Sequence, residues 1–180
     1  MPVKFIFKQP SLRIWMLMHQ TLNSVSKCED KKFAEAGLTY QQYAILTAIK
    51  YSESPATPTT IADWVDRHLN SVSLILNRME KRGLVKRIIN NQDRRSFRLV
   101  TTEKGDAAFN KAAVIGWNMI QELIGDLSEE EICTMSNLLE KIRNRAIESC
   151  YEDKNIKEVN VAERCDTDQL LKEAQNDNRK

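Results

Sequence analysis

A chain of 180 residues, 42% hydrophobic and 29% charged, is long enough for one domain with its own core and short for two. Its net charge of +2 does not imply a nucleic-acid partner by itself, yet residues 57–100 hold nine Lys/Arg against four Asp/Glu, and residues 151–180 hold six against eight. The positive charge is therefore regional, as on one basic face.

Residues 11–36 read as a helix, because Leu12, Trp15, Met18, Leu22 and Val25 recur at three- and four-residue steps and Gly37 can stop it. In "LTYQQY", Thr39 and Gln42 have capping-box spacing and Leu38 and Tyr43 staple spacing, predicting a second helix to about Lys50. After the "SESPATP" loop, Thr57 followed by Pro58 opens a short third helix, "TTIADWVDR". A turn near Arg67 and His68 leads into "LNSVSLILNRMEKRG", where Val72, Ile75, Leu76 and Met79 make a buried stripe and Gly83 can end the helix.

Two strand-like runs follow, Val85 to Ile89 and Phe97 to Val100, around a tight turn. Thr102 is a good cap for a long helix to about Gly125 that carries Phe109, Ala112, Met119 and Leu123. Ser128 and Glu131 form a second capping box, with Leu127 and Ile132 as its staple. The helix behind it repeats Ile132, Met135, Leu139, Ile142 and Ala146 at a heptad-like rhythm. That stripe, with the one on the first helix, exceeds what one small domain can cover, so a dimer is expected. Beyond Asp153 the pattern fades into a polar tail, expected to be disordered or weakly helical. The fold class is mainly α with a small β-hairpin wing.

Helix, helix, recognition-type helix and hairpin in this order make a winged helix-turn-helix. A helix face that reads base edges wants short hydrogen-bonding side chains and a few cations, and Asn70, Ser71, Ser73, Leu74, Asn77 and Arg78 fall on the faces away from the buried stripe. Lys81, Arg82, Lys86 and Arg87 can supply a salt-dependent grip on phosphates. The turn in "NNQDRRSFRLVTTEKG" gathers Arg94, Arg95 and Arg98 beside one acid, Asp93. A solvated tip needs only polarity, whereas a tip that touches a polyanion needs arginines and something to aim them.

Through "IADWV", "NSVSLILNRMEKRGLVKR" and "DRRSFRLVTTEKG", over roughly residues 11–150, the chain resembles the multiple-antibiotic-resistance-regulator (MarR) family of transcription factors. Asp93, Arg95 and Ser96 fit that family's D-x-R-[SA] wing signature. The resemblance implies a homodimer, built by interleaved first, fifth and sixth helices, that binds double-stranded DNA at an inverted-repeat operator and represses in response to a small-molecule effector; the scattered cysteines and the N-terminus without a cleavage site read as a cytoplasmic, reduced protein. It divides the chain into an N-terminal dimerisation helix (1–37), the winged domain (38–102), C-terminal dimerisation helices (103–153) and the tail (154–180). It also implies that the wing enters the minor groove, with Asp93 pairing with Arg95 to fix its direction. Two departures stand out: "DWVDRHLN" lacks the common Ser/Thr cap, with His68 near that place, and the tail lies outside the family pattern.

Other sites carry competing readings. Cys28 in "SKCEDKK" is a candidate redox-sensing thiol or a plain half-buried cysteine, since Lys27 and Lys31 are opposed by Glu29 and Asp30. Cys133 and Cys150 suit an interface or core. Trp15, His19, Tyr40, Tyr43, Trp64 and Trp117 are candidates to line an effector cavity between the dimer helices and the winged domain, or simply to fill the core. A winged-helix module that binds protein rather than DNA is a second class, with slight support from Leu69 and Leu74. No catalytic set, metal spacing, cofactor motif or membrane-length apolar run is present in the sequence, so neither enzyme chemistry nor a membrane partner is expected. Lys8 and Arg13 interrupt the apolar N-terminal residues without a cleavage site behind them.

Overall fold

The computed structural model describes residues 9–52, 55–89 and 97–150. Six helices and one hairpin follow in the expected order: α1 (Pro10–Ala34), α2 (Tyr40–Tyr51), α3 (Pro58–Trp64), α4 (Leu69–Lys81), β1 (Val85–Ile89), β2 (Phe97–Thr101), α5 (Glu103–Ile124) and α6 (Glu129–Cys150). The expected strand at Phe97–Val100 runs one residue further, to Thr101.

The helix starts follow local side-chain chemistry. Thr39 Oγ1 accepts the Gln42 N–H at 3.2 Å while Gln42 Oε1 accepts the Thr39 N–H at 3.1 Å, closing the expected capping box of α2. Thr57 caps α3 in the same reciprocal way, with Thr60 as its partner. Thr102 caps α5 by accepting from Gly105 N–H at 3.1 Å, and Ser128 and Glu131 close the box that opens α6.

Three helices end alike. At Gly37 (φ +70°) the Leu38 N–H returns to the Phe33 carbonyl, and at Gly83 (φ +70°) the Leu84 N–H returns to the Met79 carbonyl. After α3 the left-handed position is taken by Asp66 (φ 49°), with the Arg67 N–H returning to the Ala62 carbonyl at 3.0 Å. Asp is one of the few side chains that tolerates this conformation.

The core lies where α1, α2, α4, the hairpin and α5 meet. Phe33, Ile45, Leu46, Ile61, Val72, Leu76, Met79, Leu84, Val85, Leu99 and Phe109 are all buried in it. Tyr43 is stacked between Phe33 and Phe109, with centroids 4.9 and 5.3 Å away. The close approach of α5 to α1 needs Gly116, whose missing Cβ would stand 3.2 Å from Phe33 Cζ. β1 and β2 pair antiparallel from Val85↔Thr101 to Ile89↔Phe97, and the Leu99 N–H reaches the Ala56 carbonyl at 2.7 Å to dock the hairpin on the segment before α3. α6 contrasts with all of this: apart from Ile147, its described side chains are exposed. No described helix is long and apolar enough to cross a membrane.

Candidate nucleic-acid interface

α4 has one buried edge. Val72, Leu76 and Met79 are buried at i, i+4 and i+7, and Ile75 is half-buried beside them. At 100° per residue, Asn70, Leu74, Asn77 and Lys81 form the opposite stripe, with Ser71 and Arg78 on one flank and Ser73 and Glu80 on the other. All are exposed except Ser73 and Glu80, which are partly covered. The expected reading face is therefore the solvent face of α4. Its first residue follows His68, which takes the cap position without any side-chain capping bond. The Ser71 and Val72 amides donate to the His68 carbonyl at 3.0 and 3.1 Å, which leaves the amides ahead of them, at the helix start, as the ones that can meet an anion.

The hairpin divides its cations by strand parity. Val85, Arg87 and Ile89 share one face with Phe97 and Leu99, while Lys86 and Ile88 share the other with Arg98 and Val100. Arg87 is consequently on the α4 side. It donates to Asn77 Oδ1 at 2.6 Å, lies 3.3 Å from Glu80 Oε2 and packs over the Phe97 ring at 4.9 Å. Two residues expected to contact DNA independently, Asn77 and Arg87, are bonded to each other. Lys86 and Arg98 share the other face, and among the described residues neither pairs with an acid.

Arg82 turns its guanidinium back onto the protein, donating to the Gly37 carbonyl at 2.6 Å and to Gln42 Oε1 at 3.1 Å. Arg78 and Lys81 are exposed and pair with no acid among the described residues. Asp93, Arg94 and Arg95, with the Asp93–Arg95 pairing implied by the family signature, lie outside the described residues, and so does the tail.

The six aromatic and histidine candidates for an effector site do not converge within the chain. Tyr40 and Trp64 line a cavity of about 200 Å³ with Ala44, Ile45, Val65 and Ile75, and Gln41 and Arg67 supply its polar rim. It lies among α2, α3 and α4, and Tyr40 also meets Phe33 just before the end of α1, with ring centroids 5.8 Å apart. Burial, and Glu29 after it, push the Tyr40 phenol above its ordinary range, and Arg67 opposes them. Tyr43 belongs to the aromatic core stack instead. Trp15 and His19 touch edge-on at 4.8 Å on α1, and Trp117 stands partly exposed on α5. Helical spacing selects a face but cannot say what that face meets, which is why candidates spread over α1, α2, α3 and α5 ended in different environments. Arg67, read from sequence only as a turn residue, was missed; its signal was the left-handed Asp66 turn that carries it to the rim.

Cys28 is half-buried against the core edge, and Cys133 is exposed on α6, where it accepts from Asn137 Nδ2 at 3.6 Å. Among the described residues no group of His, Cys, Asp and Glu could hold a metal ion.

The family model described as "MarR family" matches residues 38–97, from the start of the α2 cap to the first residue of β2. The chain is 30% identical over 102 residues to the uncharacterized HTH-type transcriptional regulator YdcH of Bacillus subtilis (strain 168), spanning 55% of this chain and 69% of that protein. Among solved structures, the organohalide sensing RdhR transcriptional regulator in its 2,4-dichlorophenol bound form superposes with a TM-score of 0.72 at 23% identity, covering 86% of this chain and 95% of the other. A mutant Escherichia coli MarR complexed with operator DNA superposes at 0.65 and 23% identity, covering 72% and 93%. The docked hairpin, the solvent-facing polar stripe of α4 and these relatives agree: the chain belongs to the MarR family, and it is a DNA-binding transcriptional regulator rather than an enzyme.

Proposed function

We propose that the protein is a homodimeric repressor that grips an inverted-repeat operator with two copies of α4 and the wing and releases it when a small molecule binds. The observation that carries the assembly is where apolar surface is left uncovered. Among the described residues, fourteen of the nineteen large exposed hydrophobic ones lie on α1, α5 and α6, among them Leu12, Leu17, Leu123, Leu138 and Leu139. An apolar surface of that extent marks an interface, and a two-fold between identical chains satisfies it with one self-complementary patch. In this reading residues 1–37 and 103–153 dimerise, residues 38–102 bind DNA, and residues 154–180 are an appended tail.

On DNA, Asn70, Ser71, Ser73, Leu74, Asn77 and Arg78 face base edges in the major groove. Lys81, Arg87 and Arg98 contact the backbone, and the wing tip with Asp93, Arg94 and Arg95 reaches the minor groove. Two recognition helices on a two-fold demand half-sites centred about 10 bp apart. The effector reading rests on the Tyr40–Trp64 cavity, since a ligand there would wedge between α2 and α4. Selection of binding sites from random duplexes, combined with sedimentation, tests the whole. An inverted repeat bound by a dimer is the expected result. A stable monomer, or indifference to duplex DNA at about 50 mM salt, where phosphate contacts are strongest, would instead favour a protein-binding winged module.

A further inference from the structure

α4 is held unequally at its two ends. The N-terminal end begins at His68 with no side-chain cap. The C-terminal end is fastened from two directions. Arg82 crosses to the turn that leaves α1 and donates to the Gly37 carbonyl at 2.6 Å and to Gln42 Oε1 at 3.1 Å. Gln42 is a fixed acceptor, because the same oxygen already closes the capping box of α2 on the Thr39 N–H. From the other direction α5 reaches the same point: Thr102 Oγ1 donates to the Gly83 carbonyl at 2.6 Å and Lys104 Nζ to the Arg82 carbonyl at 2.9 Å. The end of α1 and the starts of α2 and α5 therefore meet at Arg82–Gly83.

The geometry points to Arg82 as the positioning residue that fixes the recognition helix against the dimerisation helices, and so sets which half-site spacing the dimer accepts. This rests on the dimeric, inverted-repeat reading above. Inserting one base pair between half-sites displaces one of them by about 3.4 Å and rotates it by roughly 35°. A stiffly mounted α4 cannot follow that change; a loosely mounted one can. The planar guanidinium suits the task because its fork reaches two acceptors at once, whereas a lysine ammonium supplies the same charge from one nitrogen. The two roles open to Arg82 thus differ in what lysine can replace: a phosphate contact needs only the charge, and a two-armed clamp needs the fork.

The test uses the full chain, Arg82→Ala and Arg82→Lys, with folding checked by circular dichroism. The probes are three duplexes: the site selected by the wild type, the same site with one base pair added between half-sites, and the same site with one removed. Affinities are measured at several salt concentrations. The wild type should lose about tenfold or more when the spacing changes, and both variants no more than about threefold, a difference on the scale of one mismatched base pair. The salt dependence of both variants should match that of the wild type. The proposal is overturned if Arg82→Lys behaves as wild type while Arg82→Ala lowers the salt slope by about one unit, the signature of a phosphate contact. Unchanged spacing discrimination in both variants overturns it as well. A wild type indifferent to spacing removes the inverted-repeat reading and this proposal with it, whereas failure confined to the variants leaves that reading intact. Should Arg82→Ala not fold, Arg82→Lys decides alone, since it keeps the stem and charge and loses only the fork.

Discussion

Arg87 on β1 and Asn77 on α4 are joined by a hydrogen bond of 2.6 Å, with Glu80 3.3 Å from the same guanidinium. The bond fixes the Asn77 amide with its oxygen toward the strand, which leaves the NH₂ group to project from the helix face. An aimed donor loses less side-chain entropy on binding than a free one. Asn77→Ala and Arg87→Ala should each weaken operator binding, and the double variant should lose less than their sum by about 0.5–3 kcal/mol. A double-mutant cycle measured at one salt concentration checks this; strict additivity would mean that the two residues act independently on DNA.

At the wing, Arg95→Ala should cost about 1–3 kcal/mol of operator affinity, the range of a specific contact. Asp93→Ala should also weaken binding, although it removes a negative charge from a segment proposed to meet DNA. Coulomb's law alone gives the opposite sign. Operator affinity of Asp93→Ala at fixed salt decides between aiming and simple repulsion, and tighter binding would assign Asp93 no aiming role.

The uncovered stripe of α6 makes Leu138 and Leu139, 54% and 46% exposed in the protomer, sensitive positions for assembly. Leu139→Glu buries a carboxylate in any apolar interface that covers it, a cost of several kcal/mol. Sedimentation should shift from a dimer to the 20.8 kDa monomer. A variant that stays dimeric would move the interface away from α6.

Gly105 sits in the first turn of α5 directly against the chain that leaves α4. A Cβ there would overlap the Leu84 carbonyl oxygen, which is backbone and cannot rotate away. Gly105→Ala should destabilise the fold by about 1–3 kcal/mol or more through overpacking. Thermal unfolding measures it, and a neutral outcome would mean that α5 can slide along the hairpin.

Glu131 accepts from both the backbone N–H and the hydroxyl of Ser128, at 2.8 and 2.9 Å, and these bonds hold its carboxyl below the usual range. A lowered folded-state pKa gives stability that is present above the unfolded value and is lost as pH falls through the folded one. The first turn of α6 should therefore fray on acidification. Carboxyl-detected NMR titration should give Glu131 a midpoint below the ordinary glutamate range, and Ser128→Ala should return it toward that range.

The sequence by itself determined what is settled within four residues. Thr39 with Gln42, Thr57 with Pro58, Thr102, and Ser128 with Glu131 begin their helices where expected, because a capping bond closes between near neighbours whatever the rest of the chain does. The spacing of Val72, Leu76 and Met79 likewise fixed which edge of α4 is buried, and hence which faces solvent. Tertiary structure decided which arginines remain available. Arg78, Arg82 and Arg87 look alike in the sequence, yet Arg82 is held by acceptors 40 and 45 residues away, Arg87 by Asn77 and Glu80 across the strand–helix junction, and Arg78 pairs with no acid among the described residues. A long flexible cation takes whatever acceptor the fold brings within reach, and periodicity carries no information about that acceptor. The same holds for the aromatics: spacing placed Tyr40 and Tyr43 on one helix, and only the packing of α2 on α1, α3 and α5 sent one to a cavity and the other to the core.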